Sequence, residues 1–179
     1  MRTFFLIAIL FVGGFVNAQT ELTSSKIIQI KAKVDQMASK YKDSINSRLG
    51  DTKSSIGTDF KTDVYRVDKL ADLKVGVDYS TAGMTAAIVS LNNDYDALLN
   101  KYYTILMKRL TPEDQEKLKI AQRNWLNFRD SEIQVITTVS KGQYSGGGTI
   151  QSNIMAGRIS DLTKQRLNEI MDHLNQFMD

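Results

Sequence analysis

Thr111-Pro112-Glu113-Asp114, at the head of the stretch TPEDQEKLKIAQRNWLNFRDSEIQVITTVS that runs from residue 111 to 140, decides the fold class. Thr111 can cap a helix, Pro112 suits a first turn, and Glu113 and Asp114 favour the positive end of a helix dipole. The spacing that follows predicts a helix over Pro112 to Ser140, burying Leu118, Ala121, Trp125 and Phe128, then Ile133, Ile136 and Val139. It should stop before Lys141-Gly142-Gln143-Tyr144-Ser145-Gly146-Gly147-Gly148, and a last helix follows from Thr149 to Phe177 with Ile150, Ile154, Ile159, Leu162, Leu167, Ile170 and Leu174. Upstream, Ile88, Leu91, Tyr95, Leu98, Tyr102, Ile105 and Leu106 mark one side of a helix from Thr81 to Leu110. Earlier still, Ile27, Ile30, Val34, Met37, Tyr41 and Ile45 form one stripe of a helix from Leu22 to Arg48, which Gly50 and the turn formers of Asp51 to Gly57 should end. Phe60 to Val77 reads as a helix through Val64, Val67, Leu70 and Leu73, although Val64-Tyr65-Arg66-Val67 also suits a short strand. Helices that hide one face each must pack together, so the expected fold is all-α: an antiparallel bundle of long helices with a glycine-rich loop between the last two.

The chain begins as a secretory leader does. Arg2 supplies the positive end, Phe4 to Phe15 the apolar run, and Val16-Asn17-Ala18 a small-residue cleavage site, so cleavage is expected after Ala18. Gly13-Gly14 interrupts the run, which falls short of the ~20 apolar residues of a membrane span. Three regions result: a signal peptide over 1–18, an N-terminal helical extension over 19–80, and a helical domain over 81–179. The expected product is exported, periplasmic or secreted, with no stable membrane anchor. Residues 19–179 carry 22 basic and 20 acidic side chains, and neither half is strongly basic, which argues against nucleic acid as a partner. With no cysteine, disulfides, thiol catalysis and thiolate-held metals are excluded, so packing alone must hold the fold.

Catalytic constellations are missing too. His173 is the single histidine and reads as a surface residue, no serine lies in a Gly-x-Ser-x-Gly context, and no cofactor or metal is expected. Gly146-Gly147-Gly148 lacks both the dinucleotide and the Walker pattern. The pairs Glu113/Asp114 and Asp94/Asp96 are explained by helix starts and solvent faces without glycosidase chemistry. A binding protein is therefore expected rather than an enzyme.

Leu91-Asn92-Asn93-Asp94-Tyr95, then Ala121-Gln122-Arg123-Asn124-Trp125-Leu126-Asn127-Phe128-Arg129-Asp130, the turn Tyr144 to Thr149, and Thr163-Lys164-Gln165-Arg166 together resemble the LprI-type lysozyme inhibitor family over about residues 85–175. The tryptophan-containing stretch is the specific part. The family commonly has a cysteine three residues after the Arg-Asp pair and another in the last helix, and the resemblance implies a bridge between them; here Ile133 holds the first position and the last helix has none. What the resemblance implies is inhibition of lysozyme by stoichiometric binding; a non-inhibitory module that binds another cell-envelope protein is the other expectation.

Two readings of the motif residues stand side by side. In one, Tyr95, Arg123, Trp125, Phe128 and Arg166 form a structural motif, with the tryptophan in the core held by partly buried ion pairs that Asp130 and Arg166 join. In the other, Arg129, Asp130 and the loop bearing Tyr144, Gly146, Gly147 and Gly148 form a recognition surface. Lysozymes are commonly cationic, so a slightly basic inhibitor needs a local acidic patch to gain association rate.

Overall fold

The computed structural model describes residues 22–49 and 55–177. The leader expected over residues 1–18 lies outside the described residues, as does most of the turn expected at residues 50–57. Five long helices carry the fold: α1 (Ser24–Leu49), α2 (Ser55–Val75), α3 (Thr81–Arg109), α4 (Pro112–Val139) and α6 (Ile150–Leu174), with the single-turn α5 (Gly142–Ser145) between the last two. Among the described residues there is no strand, so Val64 to Val67 is helical. Two expectations are corrected: α2 begins at Ser55, so Gly57 lies in a helix rather than a turn, and Gly142 to Ser145 close one helical turn where only a loop was expected.

Local chemistry sets the helix ends. Ser80 caps α3 by accepting from the Gly83 N–H at 2.9 Å, and Thr111 caps α4 by accepting from the Asp114 N–H at 3.3 Å. Gly83 also leaves room for Asp78, which accepts from the Ser80 N–H at 2.9 Å; a Cβ on residue 83 would lie 2.1 Å from the Asp78 carboxyl carbon. The Gln115 amide donates to the carbonyls of Met107 and Leu110, closing the corner between α3 and α4.

Cross-helix pairs fix the directions. Lys42 meets Asp59 and Arg66 meets Asp35, so α1 and α2 are antiparallel; Lys74 meets Ser90 and Tyr102 meets Asp63, so α2 and α3 are too. Arg129 reaches Asp96 and Arg158 reaches Glu132, which sets α4 against both α3 and α6. The outer helices thus leave α3 and α6 running the same way, as Thr85 beside Ser152 and Asn92 beside Thr163 require. This parallel pair is the centre of the bundle. α2 covers one side with α1 outside it, and α4 covers the other.

Tyr95, Leu99, Tyr102 and Leu106 of α3 interlock with Leu167, Ile170, Met171 and Leu174 of α6, and Phe60, Val64 and Val67 of α2 close over them. Phe60 meets the Tyr102 ring edge-on at 5.0 Å, and Tyr41 of α1 stacks on Tyr65 of α2 at 4.3 Å. The α4 expectation is corrected here. Leu118 and Ile136 are its buried residues, Trp125 and Ile133 are half-buried, and Ala121, Phe128 and Val139 are exposed, Phe128 at 55%. Ile150 and Ile154, expected in the core from α6, are exposed as well.

Leu99 and Leu167 are sealed in the α3/α6 contact, so Leu99→Ala or Leu167→Ala should cost about 2–5 kcal/mol by urea unfolding. Gly83→Ala should cost about 1–3 kcal/mol by the same measurement, because the added methyl displaces the Asp78 carboxylate from the Ser80 N–H.

Candidate functional site

The motif stretches that lie far apart in sequence meet across helix interfaces. Asn92 in α3 accepts from the Thr163 hydroxyl of α6 at 2.8 Å, and Gln122 in α4 accepts from Arg166 Nε of α6 at 3.0 Å. Each bond joins two of the four stretches. Arg166 is 8% exposed; its Nη1 donates to Glu169 at 2.9 Å, and Nη2 is buried with no hydrogen-bond partner among the described residues. A guanidinium does not lose its charge in a protein, so its burial requires compensation.

Trp125, the single tryptophan, supplies part of it. The Arg129 guanidinium lies 5.3 Å from the centre of its ring and that of Arg166 6.0 Å, so two cations share the indole. Arg129 also holds Asp130 at 3.1 Å and Asp96 of α3 at 3.7 Å. The ion-pair reading is therefore corrected in detail: Arg123 is exposed and takes no part, Asp130 pairs along its own helix, and Arg166 meets Gln122 and Glu169 rather than Asp130. Trp125 lies at the edge of the core, not within it.

Tyr95 and Tyr102 anchor α2. The Tyr95 hydroxyl donates to Asp68 and that of Tyr102 to Asp63 at 2.9 Å. Burial pushes both phenols well above their ordinary range, and the facing carboxylates push them further. Such groups stabilise the fold below the unfolded phenol value near 10, and that contribution fades as the pH rises above it.

The turn between α4 and α6 has a different construction. Gly146, Gly147 and Gly148 have φ of 78°, 77° and 90°, a run of left-handed conformations for which side-chain-bearing residues are poorly suited. Ser145 stiffens it by donating to the Ser140 and Lys141 carbonyls and accepting from the Gly147 N–H. Tyr144 projects from this turn, 64% exposed. Val135 and Val139 near the end of α4 and Ile150 and Ile154 at the start of α6 are exposed as well. The Glu132–Arg158 pair sets the helix register that places these four toward the tip.

The matched family is the lysozyme inhibitor LprI family, whose model covers residues 76–170, from just after α2 to the last turns of α6. The chain belongs to this family. All the latches joining α3, α4 and α6 described above fall inside the LprI region. The chain is also 26% identical over 100 residues to a protein of Rhizobium meliloti (strain 1021) described as uncharacterized, a match that covers 47% of this chain and 68% of that one. No solved structure matches.

The expected recognition residues thus fall in two places. Arg129 and Asp130 sit about two thirds of the way along α4, one turn after Trp125, whereas Tyr144 and the three glycines form the tip, about 15 Å further along the helix from Asp130. Sequence reading missed Gln122, Glu169 and Asp96 as partners, because nothing local in a helix marks a contact across 44 residues. It also missed the exposure of Val135, Val139, Ile150 and Ile154, although four aliphatic residues within about ten positions of one glycine run are a visible signal.

Arg166→Met should shift the Trp125 emission and, because it frees Gln122 and Glu169, lower the unfolding midpoint; Arg123→Met should do neither, by fluorescence and urea unfolding. In the alkaline limb, Tyr102→Phe should flatten the loss of stability above about pH 10, measured as unfolding midpoint against pH.

Proposed function

We propose that this chain is an exported binding protein that inhibits lysozyme by stoichiometric occupation of its cleft, with the tip of the α4–α6 hairpin as the inserting element. One observation carries the reading: within the LprI region, a glycine-built turn presents an exposed tyrosine between two helix ends that expose Val135, Val139, Ile150 and Ile154. Tyrosine offers a large contact area with a polar tip for the loss of few rotatable bonds, and a turn fixed beforehand costs little to order on binding. Exposed aliphatic side chains on the adjoining helix ends would add apolar area to such a contact. Export fits the leader pattern of residues 1–18 and would put the protein where lysozyme acts on the wall.

A second reading, a cell-envelope module that binds another protein without inhibiting, draws on Phe128. This ring stands exposed on α4 away from the tip, where a cleft-inserting turn has no use for it. The role in both readings is binding, not turnover.

A wall-lysis assay with purified mature protein and a panel of lysozymes separates the two. Inhibition of at least one lysozyme should saturate near one equivalent, and Tyr144→Ala should weaken it by about tenfold or more with an unchanged unfolding midpoint. Unimpeded lysis by every enzyme at micromolar excess would end the inhibitor reading, and an unaltered Tyr144→Ala variant would move the contact away from the tip.

A further inference from the structure

A groove of about 470 Å³ runs between α2, α3 and α6, on the side of the central pair away from α4. Its apolar parts are Ile88 and Leu91 of α3, and its aromatic walls are Tyr65 and Tyr95. Its charged groups are Asp68, Lys69 and Asp72 from α2 and Asp161 and Lys164 from α6; α3 adds the neutral Tyr95 phenol. Lys69 is bound to Asp72 at 2.7 Å, and Lys164 approaches Asp68 at 3.4 Å while lying over the Tyr95 ring. Asp161 has no ion-pair or hydrogen-bond partner among the described residues, so the groove holds one carboxylate more than its ammonium groups balance.

Two further observations point to an occupant. Ser160 lines the groove at 4% exposure, and its hydroxyl makes no hydrogen bond among the described residues, not even to the carbonyl one turn back that helical serines commonly use. That leaves the hydroxyl, at the groove wall, free to bond an incoming group. Gly157, one turn before, sits inside α6, where glycine weakens a helix by about 1 kcal/mol relative to alanine. A Cβ built there would touch nothing within 4 Å, so neighbouring packing does not require glycine; the missing side chain instead leaves the groove open.

We propose that this groove receives the side chain of an arginine or lysine from a basic protein partner. The alkyl stem would lie along Ile88, Leu91 and the tyrosine walls, and the cationic head would reach the Asp161 carboxylate and the Ser160 hydroxyl, which can accept from it. This charge complementarity is local, and a chain with almost balanced overall charge can present it to a cationic surface. The groove opens about 13 Å along α6 from the last glycine of the tip, a span that one protein partner can bridge. The inference rests on the lysozyme reading only for the identity of that basic partner.

The test uses the whole mature chain and two probes. The first is a blocked tripeptide with a central arginine, compared by amide NMR with the same peptide carrying neutral citrulline. The arginine peptide should shift the amides of Gly157, Ser160 and Asp161, the citrulline peptide should not, and Gly157→Leu, which fills the groove, should abolish the shifts while leaving the circular dichroism unchanged. The second is an inhibited lysozyme: Asp161→Asn should slow association about threefold or more at low salt and flatten its salt dependence. Arginine shifts with no inhibited lysozyme would uphold the groove while the inhibitor reading falls. Inhibition with wild-type rates in both Asp161→Asn and Gly157→Leu, or equal shifts by the two peptides, would overturn the groove.

Discussion

The buried guanidinium of Arg166 decides how α4 lies on the bundle. α4 has two apolar stripes: Leu118, Trp125 and Ile136 along one line, and Ala121, Phe128, Val135 and Val139 about 70° round the helix from it. Hydrophobic burial discriminates weakly between them, since either line would cover the α3/α6 pair. Arg166 breaks that balance. It needs an acceptor at one point on α4, and Gln122 offers one only when the first stripe faces inward; the same rotation brings Trp125 against the guanidinium and Arg129 to Asp96 of α3. An apolar residue at 166 would pack, but it would not select a face. Here a buried charge gives specificity of arrangement, a use distinct from any net gain in stability.

The exposed stripe is the consequence. Once Gln122 and Trp125 are turned inward, Phe128 and the aliphatic residues beyond it, Val135 and Val139, face outward up to the glycine turn that bears Tyr144. The structural and the recognition readings of the motif are therefore two results of one rotation. The latch residues hold α4 in place, and what that placement exposes is the surface available to a partner.

Helix positions were legible because their signals are local. Thr111 followed by proline and two acids fixes the start of α4, the three glycines fix the end of the hairpin, and the spacing of Tyr95, Tyr102 and Leu106 finds the buried side of α3. The burial of α4 was not legible, since both of its stripes satisfy a helical period and the choice between them is made by a residue 44 positions away. The same limit hid the Asn92–Thr163 bond and the parallel course of α3 and α6. The start of α2 was misplaced for another reason: Ser55, Ile56 and Gly57 look like turn formers, yet Phe60 and Val64 packed on Tyr102 and its neighbours stabilise the helix beyond what its first residues favour.

Ile133 shows how the chain manages without a covalent tie. It is half-buried on α4 one residue after Glu132, whose pair with Arg158 of α6 spans 3.8 Å and is partly solvated, so by itself that pair contributes only about 0–1 kcal/mol. The hold between α4 and α6 is instead spread over Ile136, Leu118, the Arg166 latch and this weak bridge. These contacts are unequal along the helix. Leu118 belongs to the main core cluster at one end of α4, whereas toward the glycine turn Ile136 is the buried residue that remains. Cohesion therefore falls toward the tip, and the turn's own hydrogen bonds around Ser145, together with its glycine geometry, have to keep Tyr144 in position where packing no longer does.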